Sequence, residues 1–169
     1  MLLSVGELNE NKNHRIIIKA IAKLNDPKIH YAIAGKGDMS EYLADLSKQL
    51  GVSDRVHLLG YRKDIAELNH SADVFCFPSK REGLGLAAIE AMACGLPVIA
   101  AENRGTREFI VSHKNGFLCN FNDADAFASA IKALIDSNEL SQLLSENAVS
   151  AVKKFSVENV VNIMKGIYK

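Results

Sequence analysis

The chain carries no net charge: 20 basic residues balance 20 acidic ones among its 169. That balance points to neither a nucleic-acid backbone nor an anionic membrane, although it leaves room for a local basic patch, and no nucleic acid is expected as a partner. Cysteine is scarce. Cys76, Cys94 and Cys119 lie far apart in apolar segments, with no histidine at ligand spacing from any of them. An odd count without metal spacing argues against a disulfide framework and for buried free thiols in a reducing compartment. Long apolar runs are missing, so no segment is expected to cross a bilayer, and none reads as a signal peptide. There is no internal repeat, low-complexity run or flexible linker. Two nucleotide motifs are absent as well. No glycine cluster has the three-glycine spacing of the dinucleotide fingerprint, and no Gly-Lys-Ser/Thr closes a Walker loop, so an NTPase is not expected.

What is present is an alternation. At 48 % hydrophobic and 24 % charged, the chain suits one compact domain over residues 1–169. Strands are predicted at Leu2–Leu8, Ile29–Gly35, Val56–Gly60, Asp73–Pro78, Pro97–Ala101 and Gly116–Cys119. Between them lie predicted helices at His14–Leu24, Met39–Leu50, Ile65–Ser71, Leu86–Cys94 and Thr106–Ile110. After Cys119 only helices follow: Asp123–Asp136 capped by Asp123, Glu139–Lys154, and Val157–Tyr168 starting at Ser156 with Asn159. Six strands with intervening helices argue an α/β fold, a doubly wound parallel six-stranded sheet with right-handed crossovers and C-terminal helices.

In such a sheet the strand-to-helix turns share one edge and converge on a crevice. Those turns are Gly6 to Asn13, Gly35 to Asp38, Gly60 to Asp64, and Glu82 to Gly85. Lys12, Lys36, Arg62, Lys80 and Arg81 are candidates there for phosphate binding, although any one of them alone is more simply a solvated cation. Gly35 and Gly37 likewise suit a tight turn whether or not anything binds.

The fourth turn is the most informative. In Glu82-Gly83-Leu84-Gly85-Leu86-Ala87-Ala88-Ile89-Glu90 two carboxylates bracket glycines and small apolar residues. A helix starting near Leu86 puts Glu90 about 6 Å along its axis. Apolar neighbours on both sides suggest that this helix is buried, and a buried carboxylate needs donors such as vicinal sugar hydroxyls. Backbone amides around the glycines can face an anion, so the expected ligand carries hydroxyls and phosphate together. Either glutamate alone fits an ordinary cap or dipole partner; the combination is what points to a ligand.

These residues resemble a known family. Glu82-Gly83-Leu84-Gly85-Leu86 through Glu90-Ala91-Met92-Ala93-Cys94-Gly95-Leu96-Pro97-Val98-Ile99 is similar to the signature of the group 1 (family 4) retaining glycosyltransferases. Ser4-Val5-Gly6 with Lys12-Asn13, Ile33-Ala34-Gly35-Lys36-Gly37, Val56-His57-Leu58-Leu59-Gly60-Tyr61, Ala72-Asp73-Val74-Phe75 with Pro78-Ser79, and Asn115-Gly116-Phe117-Leu118 match in family order. The resemblance implies one Rossmann-like half of the two-domain GT-B architecture, the C-terminal half that binds the nucleotide-sugar donor. A glycan or lipid-linked acceptor would be bound through the other half, which this chain lacks. A chain whose first residues already read as a strand suits a piece of a longer protein.

By the same resemblance Glu82 would be catalytic, lying near the transferred carbon of the sugar, and Glu90 would bind the ribose. Gly83, Leu84 and Gly85 would face the diphosphate, Gly6 and Lys12 would complete its cradle, and Tyr61 and Arg62 would lie by the base. No metal or other cofactor is implied, so protein donors must stabilise the leaving diphosphate. Retention is expected by front-face attack, without a covalent intermediate on Glu82. A cytoplasmic enzyme is implied, peripheral on the inner face of the cell membrane where its missing half attaches there. One position departs from the family. Glu7 stands where a phosphate-holding arginine is usual; either Glu7 turns away or another cation substitutes, with Arg104 and Arg107 as the candidates. Two other functions fit less well: a non-catalytic nucleotide- or partner-binding module, and half of a GT-B nucleotide-sugar epimerase.

Overall fold

The computed structural model describes residues 1–167. Six parallel strands form one sheet: β1 (Leu2–Val5), β2 (Tyr31–Ala34), β3 (Val56–Gly60), β4 (Val74–Phe77), β5 (Val98–Ala101) and β6 (Phe117–Cys119). Their spatial order is β3-β2-β1-β4-β5-β6. The chain winds outward from β1 to β3, then crosses back to β4 and winds the other way. The expected doubly wound topology is therefore present, with its switch point between β1 and β4, the position where open α/β sheets take ligands.

The helices are α1 (Arg15–Leu24), α2 (Ser40–Gln49), α3 (Ile65–Ser71), α4 (Leu86–Ala93), α5 (Arg104–Arg107), α6 (Ala124–Asp136), α7 (Asn138–Val152) and α8 (Val157–Ile167). Both faces of the sheet are covered, because alternate residues of each strand enter opposite cores. Leu2, Tyr31, Ile33, Val74, Cys76 and Ile99 pack with α1 and α6 residues such as Ile17, Ile21, Phe127 and Ile131. Leu3, Phe75, Phe77, Val98 and Ala100 pack on the other face with Ala88, Ala91 and Met92 of α4 and with Ala148 of α7. Phe75 is fully buried, so truncation to alanine would cost about 3–5 kcal/mol.

Most strands are shorter than their apolar runs. The run at Leu2–Leu8 ends as β1 at Val5, because Gly6 to Leu8 leave the strand to form a turn against the second one. One helix is displaced. The expected Thr106–Ile110 becomes Arg104–Arg107, since Asn103 and Thr106 form a reciprocal capping box that starts the helix earlier. Asp123 caps α6 through the Asp125 and Ala126 amides, both at 3.0 Å, and Ser137 caps α7. Ser156 accepts the Asn159 amide at the start of α8, while Tyr168, the expected end of that helix, lies outside the described residues. α8 buries none of its side chains. Among the described residues no helix is long and apolar enough to cross a membrane.

Candidate active site

The turns after β1 and β4 meet at the switch point, and asparagines tie them together. Asn11 accepts the Arg81 amide and donates to the Arg81 carbonyl at 3.0 Å, while the Lys80 amide bonds the Asn11 carbonyl at 2.8 Å. Asn13 is buried at φ +55°, a conformation asparagine tolerates better than most side chains, and it donates to the Pro78 and Phe121 carbonyls. Glu10 bridges Lys80 at 2.9 Å and Arg15 at 3.2 Å, holding its own carboxyl below the usual range chiefly through the Lys80 hydrogen bond. These cations are therefore structural ties.

The second turn supports the first from behind. The Gly6 amide bonds the Ala34 carbonyl at 3.0 Å, and the Leu8 amide bonds the Lys36 carbonyl at 2.9 Å. A β-carbon on Gly35 would sit 1.8 Å from the Gly6 oxygen, and one on Gly37 would sit 2.3 Å from the Leu8 oxygen. Neither glycine has positive φ. Close approach of two backbones, rather than a left-handed turn, is what requires glycine here.

On this platform Lys12 Nζ lies 2.6 Å from Glu82 Oε1. Both side chains are largely shielded, at 23 % and 13 % exposure. The lysine stem runs over Gly6, where an added β-carbon would only touch it at 3.4 Å, and its ammonium stands 5.4 Å from the Phe77 ring centre. Beyond Glu82 the exposed Gly83 and Leu84 lead to Gly85, at φ +82°, which starts α4. No side chain caps that helix and no acidic residue occupies its first turn. Its leading amides thus present partial positive charge beside the Lys12–Glu82 pair. Gly105 of α5 fits under this turn, and Asn103 donates to the Ser79 carbonyl at 2.9 Å.

Glu90 departs from expectation: it is exposed, not buried. Leu86, Glu90 and Ala93 form an open stripe at helical spacing along α4, while Ala88, Ile89, Ala91 and Met92 face the core. Small apolar residues on the open side made the helix read as buried all round. Among the described residues Glu90 makes no side-chain hydrogen bond or ion pair.

The third turn stands apart, at the end of edge strand β3. The Gly35 amide reaches the Gly60 carbonyl at 2.8 Å, so the backbones connect, but Tyr61 is 66 % exposed. Arg62 forks onto Asp64, whose carboxyl is held down to about 2, first by the Arg62 hydrogen bond. The proposed replacements for the missing arginine also separate. Arg107 Nε is engaged by Glu102 at 3.1 Å, whereas Arg104 is exposed without an ion pair among the described residues. Glu7 is exposed and accepts from Asn9 at 2.7 Å. Cys94 also differs from expectation, being only half-buried, while Cys76 and Cys119 are in the core.

Sequence reasoning missed the layer beneath the first turn. Buried His14 sets Nε2 3.3 Å from the Glu7 carbonyl and Nδ1 3.1 Å from the Tyr31 hydroxyl. That hydroxyl is 2.8 Å from Ser4 Oγ, which donates to the Cys76 carbonyl. Polar residues inside apolar strand runs were the available signal. A cavity of about 330 Å³ lies at the opposite end of the sheet, lined in part by Leu2, Asp73, Val74 and Leu134, away from all of these turns.

Known proteins share the family and the fold. The family described as "Glycosyl transferases group 1" matches residues 1–150. The chain is 39 % identical over 170 residues to the putative glycosyltransferase EpsD of Bacillus subtilis (strain 168), covering 99 % of this chain and 45 % of that protein. It superposes on Anabaena Alr3699/HepE in complex with UDP at TM-score 0.94 and 27 % identity, over 99 % of this chain and 48 % of that one. HepE has also been solved with UDP-glucose. The C-terminal domain of a group 1 glycosyltransferase (LpcC) from Francisella tularensis shares the fold at TM-score 0.84 and 23 % identity, over 92 % of this chain and 86 % of that one. The chain spans about half the length of the curated relatives it matches.

Proposed function

The chain belongs to the group 1 glycosyltransferases, and from that premise we propose that it is the donor-binding half of a retaining, hexosyl-transferring enzyme. Its donor would be a nucleoside diphosphate sugar and its acceptor a glycan or lipid-linked saccharide held by the other half. The observation that carries this reading is the Lys12–Glu82 contact beside the uncapped start of α4, at the sheet's switch point. Lys12 and the amides of Gly83 to Gly85 supply positive potential for a diphosphate, and Glu82 supplies an acceptor for sugar hydroxyls.

In this reading Glu90, projecting unpartnered from the open stripe of α4, accepts the two ribose hydroxyls. Tyr61, exposed on the third turn next to Arg62, offers a face for the base. The departing diphosphate is stabilised by Lys12 and fixed amides, which need no reorganisation as charge develops. A metal is not required by this scheme. Glu82 positions the sugar and stabilises charge at the reacting carbon, with attack from the front face. The complex of HepE with UDP supports uridine as the nucleotide to try first. We place the enzyme in the cytoplasm, peripheral on the membrane's inner face where the acceptor is lipid-linked.

In the parent enzyme, Glu82→Ala is expected to lower kcat at least about a hundredfold. Glu90→Ala is expected to raise the donor KM with a smaller effect on kcat. Unchanged transfer by the Glu82 variant would sink the catalytic assignment.

A further inference from the structure

We propose that the Lys12–Glu82 ion pair makes the donor site discriminate against bare nucleoside diphosphate, favouring substrate entry and product release. The inference rests on the donor-site reading above. It starts from how tightly Lys12 is committed. Its stem runs over Gly6, its ammonium stands 5.4 Å from the Phe77 ring centre, and that ammonium is already bonded to Glu82 at 2.6 Å in a site where both side chains are mostly shielded. Screening by water is weak for such a pair.

A diphosphate arriving alone must therefore take Lys12 from a carboxylate, or share it with one. Sharing places two anions around one ammonium. Taking it leaves Glu82 charged, part-buried and without a donor, which is unfavourable. A diphosphate that carries a sugar escapes this conflict. Its sugar hydroxyls donate to Glu82 as its phosphates accept from Lys12, so both members of the pair exchange one partner for another. Once the sugar has been transferred, those hydroxyls leave with the acceptor. Glu82 then competes for Lys12 again and the diphosphate is weakened in place. No bond is made or broken in this exchange beyond those of the transfer itself.

The decisive experiment is calorimetric titration of this chain with UDP, GDP and ADP and with their glucose conjugates. It would be run on wild type, Glu82→Gln, Lys12→Met and the double variant, each checked for folding by circular dichroism. For the nucleotide that binds, wild type is expected to hold the sugar conjugate more tightly than the free diphosphate. Glu82→Gln is expected to tighten free diphosphate about tenfold, removing that preference, while in the Lys12→Met background the same change moves it less than about twofold. Two outcomes overturn the proposal while leaving the donor site standing. One is free-diphosphate affinity unchanged in Glu82→Gln; the other is a gain that persists without Lys12, which would mean direct repulsion rather than competition. Failure of wild type to bind any of the six would reject the donor-site reading, and this inference with it.

Discussion

A β-carbon on Gly105 would stand 2.6 Å from the Glu82 carbonyl oxygen and 3.0 Å from that of Gly83. The first turn of α5 thus presses on the backbone of the turn that carries the candidate catalytic residue. Gly83 itself has open space where its side chain would be. The two glycines are therefore expected to respond differently to alanine. Gly105→Ala must push the Glu82 turn aside, at about 1–3 kcal/mol of stability, and should weaken nucleotide binding. Gly83→Ala should leave stability within about 0.5 kcal/mol. Urea unfolding of the pair, followed by UDP titration, checks both.

Glu90 is expected to matter for ligand and not for fold. It is exposed and unpartnered, so Glu90→Ala should change stability by less than about 0.5 kcal/mol. If it holds the ribose, wild type should prefer UDP over its 2′,3′-dideoxy form and the variant should not. Equal preference in the two proteins would remove Glu90 from the ribose site.

Acid should loosen the layer under the first turn through His14. Burial pushes its pKa down to about 4, opposed by the Glu7 carbonyl and reinforced by the nearby Lys12 charge. The folded state thus holds a neutral ring that the unfolded chain protonates below about 6.5. This stabilisation is therefore complete above pH ~6.5 and is lost as the pH falls toward ~4, by up to about 3 kcal/mol. Unfolding measured from pH 8 to pH 4.5 should show wild type losing more stability than His14→Gln, which keeps a polar partner that does not titrate.

The thiols offer a simple check on packing. Cys76 and Cys119 are buried, their thiols pushed up by burial first, that of Cys119 to about 12. Cys94 is half-buried at the end of α4. At pH 8 a thiol reagent should modify one cysteine in the native chain, Cys94 by peptide mapping, and three after denaturation.

The sheet was legible in the sequence because its central strands are buried on both faces and read as mostly apolar runs, Val74 to Phe77 most plainly. Glu82, Gly85 and Lys12 stood out only in combination, because each alone suits a cap, a tight turn or a solvated cation. Periodicity was less informative where side chains are small: the alanines of α4 suit either face, which hid the exposure of Glu90. Local patterns also miss bonds between distant segments. Nothing in the order of residues says that Asn11 ties down Arg81, seventy positions away, or that Gly105 fits beneath Glu82. The reciprocal cap of Asn103 and Thr106 was readable in principle, but the apolar Phe109-Ile110 pair drew the expected helix too late.

The most direct measurement is equilibrium titration of this chain with UDP, GDP and ADP, comparing wild type with Lys12→Ala and with Lys28→Ala, an exposed lysine near the cavity at the opposite end of the sheet. Saturable one-to-one binding of at least one nucleotide is expected, weakened about tenfold or more by Lys12→Ala and unmoved by Lys28→Ala. Absence of binding by all three, or binding indifferent to Lys12, would contradict a donor site at the meeting of the first and fourth turns.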